Sequence, residues 1–199
     1  QDPNELSQSI SFNYTWDILK SDGAVVNPYV EDDFIDGNFF DKGDLVRCGA
    51  RANDGIEDGT AVWSDYVTIQ NTPPTISQVE VQPLNPSVRD NLLSCAYYGF
   101  DDLDQDSDQS TVRWFLNGEQ AGEGPTVLLE NISTSQRPDG ARRGDSILCE
   151  VTPHDGLSSG TPDQHETTIV NSPPEIDDLY IDPLTPYSLD TLRPIYSIL

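Results

Sequence analysis

Five aspartates lie within eight residues near the middle of the chain, at Asp101, Asp102, Asp104, Asp106 and Asp108. Carboxylate oxygens spaced along a curved loop can converge on one hard cation, and without a cation they repel one another. Calcium is the cation that such a set of oxygens would favour. The acidic loop (residues 101–108) therefore has two interpretations, a calcium site or an unliganded and solvated acidic surface.

The spacing of these aspartates departs from the calcium loop of an EF-hand. Ser107 stands where that loop requires its turn glycine, and Arg113 stands where it ends in a bidentate glutamate. A compact site of that type is not expected. Further ligands would have to come from another loop.

Histidine occurs only at His154 and His165, and neither suits nucleophilic catalysis. A catalytic group of that kind needs a serine or cysteine, a histidine and an orienting acid. His154 precedes Asp155 in a turn signal, and an earlier segment has Asn53 before Asp54 at the matching place. A catalytic histidine would not exchange with asparagine, and the chain has no phosphate loop or nucleotide fingerprint. We expect no enzyme.

The elements that position these residues repeat at a spacing of about 100 residues, the size of one whole domain. The repeated pairs are Asn71-Thr72-Pro73-Pro74 with Asn171-Ser172-Pro173-Pro174, Gly43-Asp44 with Gly144-Asp145, Cys48 with Cys149, Asp54-Gly55 with Asp155-Gly156, and Trp16 with Trp114. We predict the end of one copy at 1–71, a complete copy at 72–171 and the start of a third at 172–199. In the first copy the loop matching the acidic loop, residues 2–5, has fewer acids and is expected to bind no ion.

Within the complete copy, apolar residues alternate along short runs, which is the pattern of half-buried strands. The clearest sets are Leu93, Cys95 and Tyr97; Val112, Trp114 and Leu116; and Ile147, Cys149 and Val151. Turn signals such as Asn117-Gly118 separate the runs, and no segment has a convincing helical stripe. The sequence predicts an all-β fold.

The order Cys95, Trp114, Cys149 on inward positions resembles an immunoglobulin-like β-sandwich. Ile147 replaces the tyrosine of antibody-type domains. The chain is also similar to the tandem Ig-like, PKD-like or cadherin-like repeats of large bacterial extracellular surface proteins. That similarity is carried by an ordered set of motifs: Asp101 to Asp108, Trp114 to Gly118, Gly144-Asp145, Asp155-Gly156, Val67-Thr68-Ile69 and Asn71 to Pro74.

This resemblance implies tandem sandwiches outside the cell or on its surface, with Trp16 and Trp114 in their cores. It also implies a disulfide between Cys95 and Cys149, and a partner for Cys48 upstream of Gln1, which we expect to be a cut through a longer polypeptide. The alternative is three buried free thiols in a reducing compartment.

The net charge is −25, from 35 acidic and 10 basic residues. Such a field repels nucleic acid and anionic membranes, so neither is an expected partner. No apolar stretch reaches membrane-spanning length, and no insertion into a membrane is expected. Asn13 and Asn131 satisfy the glycosylation sequon and are candidates for modification.

These observations favour a non-catalytic spacer of a long extracellular fibre, filament or adhesin. Its joints would be stiffened by prolines, at Pro73, Pro74, Pro173 and Pro174, and its partners would be neighbouring repeats or identical chains in a filament. The alternative is a glycan- or protein-recognition module that uses exposed aromatic residues. The candidates for that role are Tyr97, Tyr98, Phe100 and Phe115.

Overall fold

The computed structural model describes residues 9–28, 30 and 32–198, and this part of the chain contains strands and no helix. The strands are β1 (Ser11–Leu19), β2 (Val25–Val26), β3 (Leu45–Asn53), β4 (Val62–Trp63), β5 (Val67–Thr68), β6 (Gln78–Gln82), β7 (Leu92–Tyr98), β8 (Thr111–Leu116), β9 (Glu119–Glu123), β10 (Thr126–Leu128), β11 (Ser146–Thr152), β12 (Asp163–Thr168), β13 (Ile176–Asp182) and β14 (Arg193–Ile198). All of their pairings are antiparallel. The all-β prediction is confirmed.

The chain divides into two compact units, which do not follow the predicted repeat boundaries. Unit 1 contains Gln1–Thr75, Phe100–Gln109 and Pro153–Thr161, and unit 2 contains the remaining segments through Leu199. Two loops of the predicted complete copy therefore belong to the same unit as the first copy. The boundaries 1–71, 72–171 and 172–199 stay a prediction, because the division reflects packing and not sequence repetition.

Unit 1 is built on one sheet with the order β2-β1-β3-β4, and β5 also pairs with β3. The long pair β1 and β3 sets its register, with Trp16 opposite Cys48 and Ile18 opposite Val46. Ile18 and Val46 are buried, whereas Trp16 and Cys48 are partly exposed. Trp16, predicted to lie in the core, instead directs its indole N–H to the carbonyl oxygen of Asp32 at 3.3 Å.

Unit 2 contains two sheets that share one core, β10-β7-β6 and β12-β11-β8-β9. The alternating residues predicted to face inward on β7, β8 and β11 are buried there, except Tyr97, which is partly buried against the core. Trp114 is fully buried and its indole N–H donates to the carbonyl oxygen of Gly124 at 2.8 Å. Two antiparallel sheets packed face to face in this way form an immunoglobulin-like β-sandwich.

A disulfide joins the two sheets of unit 2 between Cys95 on β7 and Cys149 on β11, with their Cα atoms 6.3 Å apart. Trp114 lies directly opposite Cys149 in the strand register, next to this bond. The predicted pairing is confirmed. Cys48 is a free thiol within the described residues, and burial raises its pKa.

The repeated Gly-Asp motif fixes the start of the strand that carries a cysteine in each unit. Asp145 is almost fully buried, and its carboxylate accepts hydrogen bonds from the Asn117 side chain at 2.9 Å and the Arg142 N–H at 2.8 Å. Asp44 is buried in the same way, accepting from the Ser21 N–H at 3.0 Å. Because buried carboxylates must be paired, these contacts give the repeated motif a structural role.

The last two strands, β13 and β14, form a separate hairpin in unit 2. Leu179 pairs with Tyr196 and Ile181 with Pro194, and every described residue on both strands is exposed. Among the described residues no helix has the length and apolar character that a membrane crossing requires.

Candidate cation site and connector clamp

Three of the five predicted aspartates come together in unit 1. One carboxylate oxygen from each of Asp102, Asp104 and Asp106 lies within 4.8 Å of the others, and all three residues are partly buried. Among the described residues this is the one group of three or more acidic, cysteine or histidine side chains with that spacing. The predicted alternation therefore does bring carboxylates to one point.

The loop is shaped by its own first carboxylate. Asp102 Oδ1 accepts hydrogen bonds from the backbone N–H of Asp104 at 2.8 Å and of Asp106 at 3.2 Å. Gln105, between Asp104 and Asp106, has a φ of 62°, in the left-handed region. Such Asx-type turns explain why this segment curves and does not continue as a strand.

The second oxygen of Asp102 is buried and has no hydrogen-bond partner. A buried carboxylate oxygen without a partner costs free energy, and a bound cation would remove that cost. Carboxylate oxygens are also the ligands that calcium prefers, in sets of six to eight oxygens. Three aspartates fit part of a calcium site, and backbone carbonyls or waters would have to supply the rest.

Lys42 places a permanent cation at the same carboxylates. Its ammonium forms an ion pair with Asp106, and the hydrogen bond to that carboxylate raises the Lys42 pKa. The charges of Asp104 and Asp102 raise it further. Lys42 was not predicted to take part in this site, although lysine occurs only at Lys20 and Lys42 in a chain of net charge −25.

The other two predicted ligands lie outside the cluster. Asp101 is exposed, and its backbone pairs with Thr75 through two hydrogen bonds of 2.9 Å. Asp108 is also exposed. The structure therefore assigns Asp101 a backbone role, and neither side chain joins the three-carboxylate group.

The same unit holds residues 71–74, which span the predicted boundary between the first two copies and which we call the first connector. The Asn71 amide N–H groups donate to Asp155 Oδ2 at 2.7 Å and to Ser158 Oγ at 2.6 Å. The Thr72 N–H donates to Asp104 Oδ2 at 2.6 Å. The Asp104 carboxylate of the acidic loop therefore also accepts a hydrogen bond from the backbone of the first connector.

Pro74 completes this clamp by packing. It is fully buried, whereas Pro73 is exposed. A Cβ built on Gly160 would lie 1.8 Å from the Pro74 carbonyl oxygen, so only glycine fits there. The clamp therefore joins the first connector, the acidic loop and residues 155–160, which we call the Asp155 turn.

Asp155 is the anion at the centre of the clamp. Burial of its carboxylate raises the pKa, but hydrogen bonds from Asn71, Ser158 and Leu157 outweigh this effect and hold the pKa far below its usual range. The Leu157 and Ser158 N–H groups both donate to Asp155 Oδ1 at 2.6 Å. Asp155 is ionised at neutral pH and serves as an acceptor.

The remaining candidate residues lie in structural or surface positions. His154 accepts the Gly156 N–H on Nδ1 at 2.7 Å, so it belongs to the turn as expected. Asn131 is exposed in a turn, and Asn13 is exposed on β1, where its amide donates to Asp58 at 3.5 Å. Residues 2–5 lie outside the described residues.

Unit 1 also contains a cluster of one arginine, two aromatic rings and a buried aspartate, which was not predicted. The Arg47 guanidinium lies 4.6 Å from the ring centres of both Trp63 and Tyr66. It also forms an ion pair with the buried Asp17 at 2.7 Å, and the Tyr66 hydroxyl donates to the same carboxylate at 2.8 Å. These contacts are local and stabilise the sheet of unit 1 through cation–π attraction and pairing of a buried charge.

Comparison with known proteins gives structural likenesses only. No protein-family model matches the chain, and no curated protein matches it. The crystal structure of chicken CNTN1 FN1-FN3 domains aligns with a TM-score of 0.35 and 12% identity, over 80% of this chain and 57% of that one. The chicken interferon gamma receptor alpha chain aligns with a TM-score of 0.42 and 9% identity, over 86% and 90%. Because both TM-scores are low, neither likeness bears on function or partners.

Proposed function

We propose that the chain is a non-catalytic segment of an extracellular array of immunoglobulin-like repeats, acting as a spacer in a fibre, filament or adhesin. The observation that supports this proposal is the clamp on the first connector. Proline already restricts the backbone of this segment, and the clamp adds three side-chain hydrogen bonds and the burial of Pro74. A connector fixed in this way limits swivelling at the joint, which a spacer needs.

Calcium is the proposed cofactor of the clamp. The ion would bind Asp102, Asp104 and Asp106, and Asp104 also accepts the Thr72 N–H of the connector. An ion at these carboxylates would hold Asp104 in place and so make the connector more rigid. It would replace the Lys42 ammonium at Asp106, because two cations do not share one carboxylate pocket without repulsion.

The experiment is a calcium titration of the whole chain, followed by melting temperature and by hydrogen exchange at the Thr72 amide. Calcium bound to the folded state must raise the melting temperature by mass action, and Thr72 exchange should slow. Magnesium at equal concentration and sodium at equal ionic strength are the controls for general screening of the −25 charge.

The two lysines supply matched variants for this titration. Lys42→Gln removes the competing cation and should tighten calcium binding, whereas Lys20→Gln, whose ammonium pairs with Asp41 and Asp44, should leave calcium affinity unchanged. The double change Asp104→Asn with Asp106→Asn should abolish the calcium-specific part of the response. A response no greater than that to magnesium, or one that survives in the double variant, would show a solvated acidic loop.

Extracellular location is part of the proposal. The Cys95–Cys149 disulfide supports it, since such bonds persist in oxidising compartments. Neighbouring repeats of the same polypeptide are the proposed partners, and identical chains would be partners in a filament. Protein isolated from its native source should carry this bond when examined by non-reducing mass spectrometry.

A recognition module is the second candidate, and one observation favours it. Tyr98 is exposed at the end of β7, while Phe100 and Phe115 are partly exposed. Exposed aromatic rings provide stacking faces for sugars and side chains. Binding to a glycan array that is lost in Tyr98→Ala would favour this function, whereas a spacer should bind no glycan.

A further inference from the structure

We propose that residues 54–59 of unit 1, the Asp54 turn, form a receiving surface for an Asn-x-Pro-Pro segment from another repeat. This inference rests on the proposed spacer function and identifies the surface that an Asn-x-Pro-Pro joint would contact. The expected occupant has the chemistry of the first connector: an asparagine amide followed, after one residue, by two prolines.

The Asp54 turn has the same internal bonding as the Asp155 turn. Asp54 Oδ1 accepts the N–H groups of Ile56 at 2.8 Å and Glu57 at 2.9 Å, as Asp155 Oδ1 accepts those of the two matching residues. The Gly59 N–H donates to the Ala52 carbonyl at 2.8 Å, and the Gly160 N–H donates to the Pro153 carbonyl at 2.9 Å. The two turns are therefore the same structure at two places in unit 1.

The Asp155 turn shows what such a turn binds. Its carboxylate receives the Asn71 amide, and its glycine leaves space for the Pro74 carbonyl oxygen. Glycine is required at Gly160 by this contact, because a Cβ there would overlap the proline backbone. Its own backbone does not require glycine, since Gly160 is not among the described residues with positive φ.

Gly59 is the residue that corresponds to Gly160, but the described residues show little reason for a glycine at this position. Its φ is not positive, and a Cβ built on it would meet only the Ala52 carbonyl oxygen, at 3.3 Å, among the described residues. Beside it lies a cavity of about 240 Å³, and the residues that line it are Ile10, Ala52, Asn53, Asp54, Glu57, Asp58 and Gly59. A small residue next to a surface cavity fits the approach of another backbone. The Asp155 turn indicates that this backbone belongs to Asn-x-Pro-Pro.

The test uses the full chain labelled with nitrogen-15 and a synthetic peptide with the sequence of residues 66–77 carrying a nitroxide at its C-terminal end. So short a segment should bind weakly, with a dissociation constant of about 1 mM, and paramagnetic broadening detects a complex of low population. We expect broadening at the amides of Ile10 and of residues 53–59. A peptide with alanine in place of the asparagine and both prolines should give none.

Two protein variants sharpen the result. Gly59→Val fills the space beside the cavity and should abolish the broadening, whereas Gly37→Val, at an exposed glycine with nothing within 4 Å of its built Cβ, should not change it. Spectra of each variant report whether it is folded, and the alanine peptide keeps the test decisive if Gly59→Val is not. No broadening at residues 53–59, equal broadening by the alanine peptide, or broadening only outside the two turns would overturn the proposal.

The Asp155 turn separates failure of this inference from failure of the proposed function. Its site is filled by the first connector, so its amides should stay sharp when the peptide is added. Broadening at both turns would mean that the first connector leaves its clamp, which contradicts the rigid joint but supports the receiving surface. Broadening at neither turn overturns the receiving surface and leaves the clamp intact.

Discussion

The strand pairs β6–β7 and β13–β14 have similar hairpin registers and opposite environments. Val79 lies opposite Tyr97 on the first pair, and Leu179 lies opposite Tyr196 on the second. Val81 is 0% exposed, whereas Ile181 is 55% exposed. Apolar alternation is therefore sufficient for the hairpin, but burial requires the second sheet, which β8, β9, β11 and β12 supply for β6–β7.

The first connector differs in the same way from its counterpart at residues 171–174, the second connector. Pro74 is fully buried against the Asp155 turn, whereas Pro174 is exposed. Asn71 binds a buried carboxylate, and Asn171 instead accepts a hydrogen bond from Arg143 at 3.1 Å. Matching sequence motifs thus form a clamp only where an acidic loop and an Asp-Gly turn contact them.

The largest expected difference comes from removing the same side chain on the two hairpins. Leu93 is 0% exposed and Leu179 is 61% exposed. Leu93→Ala should lower the free energy of unfolding by about 2–5 kcal/mol, because it leaves a cavity in the core. Leu179→Ala should change it by less than about 0.5 kcal/mol, as exposed substitutions do. Urea unfolding measures both, and equal losses would mean that β13–β14 is buried in solution.

A smaller difference is expected from the cysteines. The Cys95–Cys149 bond spans 54 residues, and the chain-entropy account of such a loop predicts a stabilisation of about 4 kcal/mol, although measured values are often about 2–4 kcal/mol. Replacing both by alanine should lower the free energy of unfolding by that amount, measured in urea. Cys48→Ala, at a partly buried free thiol, is the matched control and should cost much less. A loss in the double variant no larger than in the control would exclude a bond that stabilises unit 2.

Sequence reasoning predicted the local features that depend on strand period and residue type. The inward set on β8 and the Cys95–Cys149 pair follow from alternation and from the immunoglobulin-like order of Cys, Trp and Cys. Trp16 corresponds to Trp114 in the repeat but is partly exposed. The burial of such a residue depends on which sheet packs against its strand.

The site was predicted only in part, for a related reason. Alternation indicated that Asp102, Asp104 and Asp106 could converge, but nothing local shows that Lys42 reaches them from another segment. The repetition of Asn71 and of Asp155 was visible in the sequence, yet their contact joins residues 84 positions apart. The repetition itself was the available signal. Two polar motifs that recur in both copies without an evident role are candidates to contact each other.

The smallest expected effect concerns the titration of Asp155 and compares the two connector asparagines. The hydrogen bond from Asn71 is the first of the contacts that lower the Asp155 pKa against the effect of burial. Asn71→Ala should therefore move this pKa upward, towards the ordinary value of about 4 for aspartate. Asn171→Ala should leave it unchanged, because Asn171 contacts Arg143 and not this carboxylate. Carbon-13 NMR of the Asp155 carboxyl group measures the titration directly.

The sign of the resulting pH dependence follows from the depressed pKa. A carboxyl group with a lower pKa in the folded state than in the unfolded state contributes stability that is fully present above the unfolded value, near pH 4, and is lost as the pH falls towards the folded value. Asn71→Ala should reduce this contribution at neutral pH. Its loss should begin near the same pH as in the parent chain but be complete at a higher pH, because only the folded-state pKa is raised. The loss should show as a smaller difference between variant and parent in acid than at pH 7. A variant whose Asp155 titrates as in the parent would mean that Asn71 does not hold the carboxylate, and the first connector would then be no better clamped than the second.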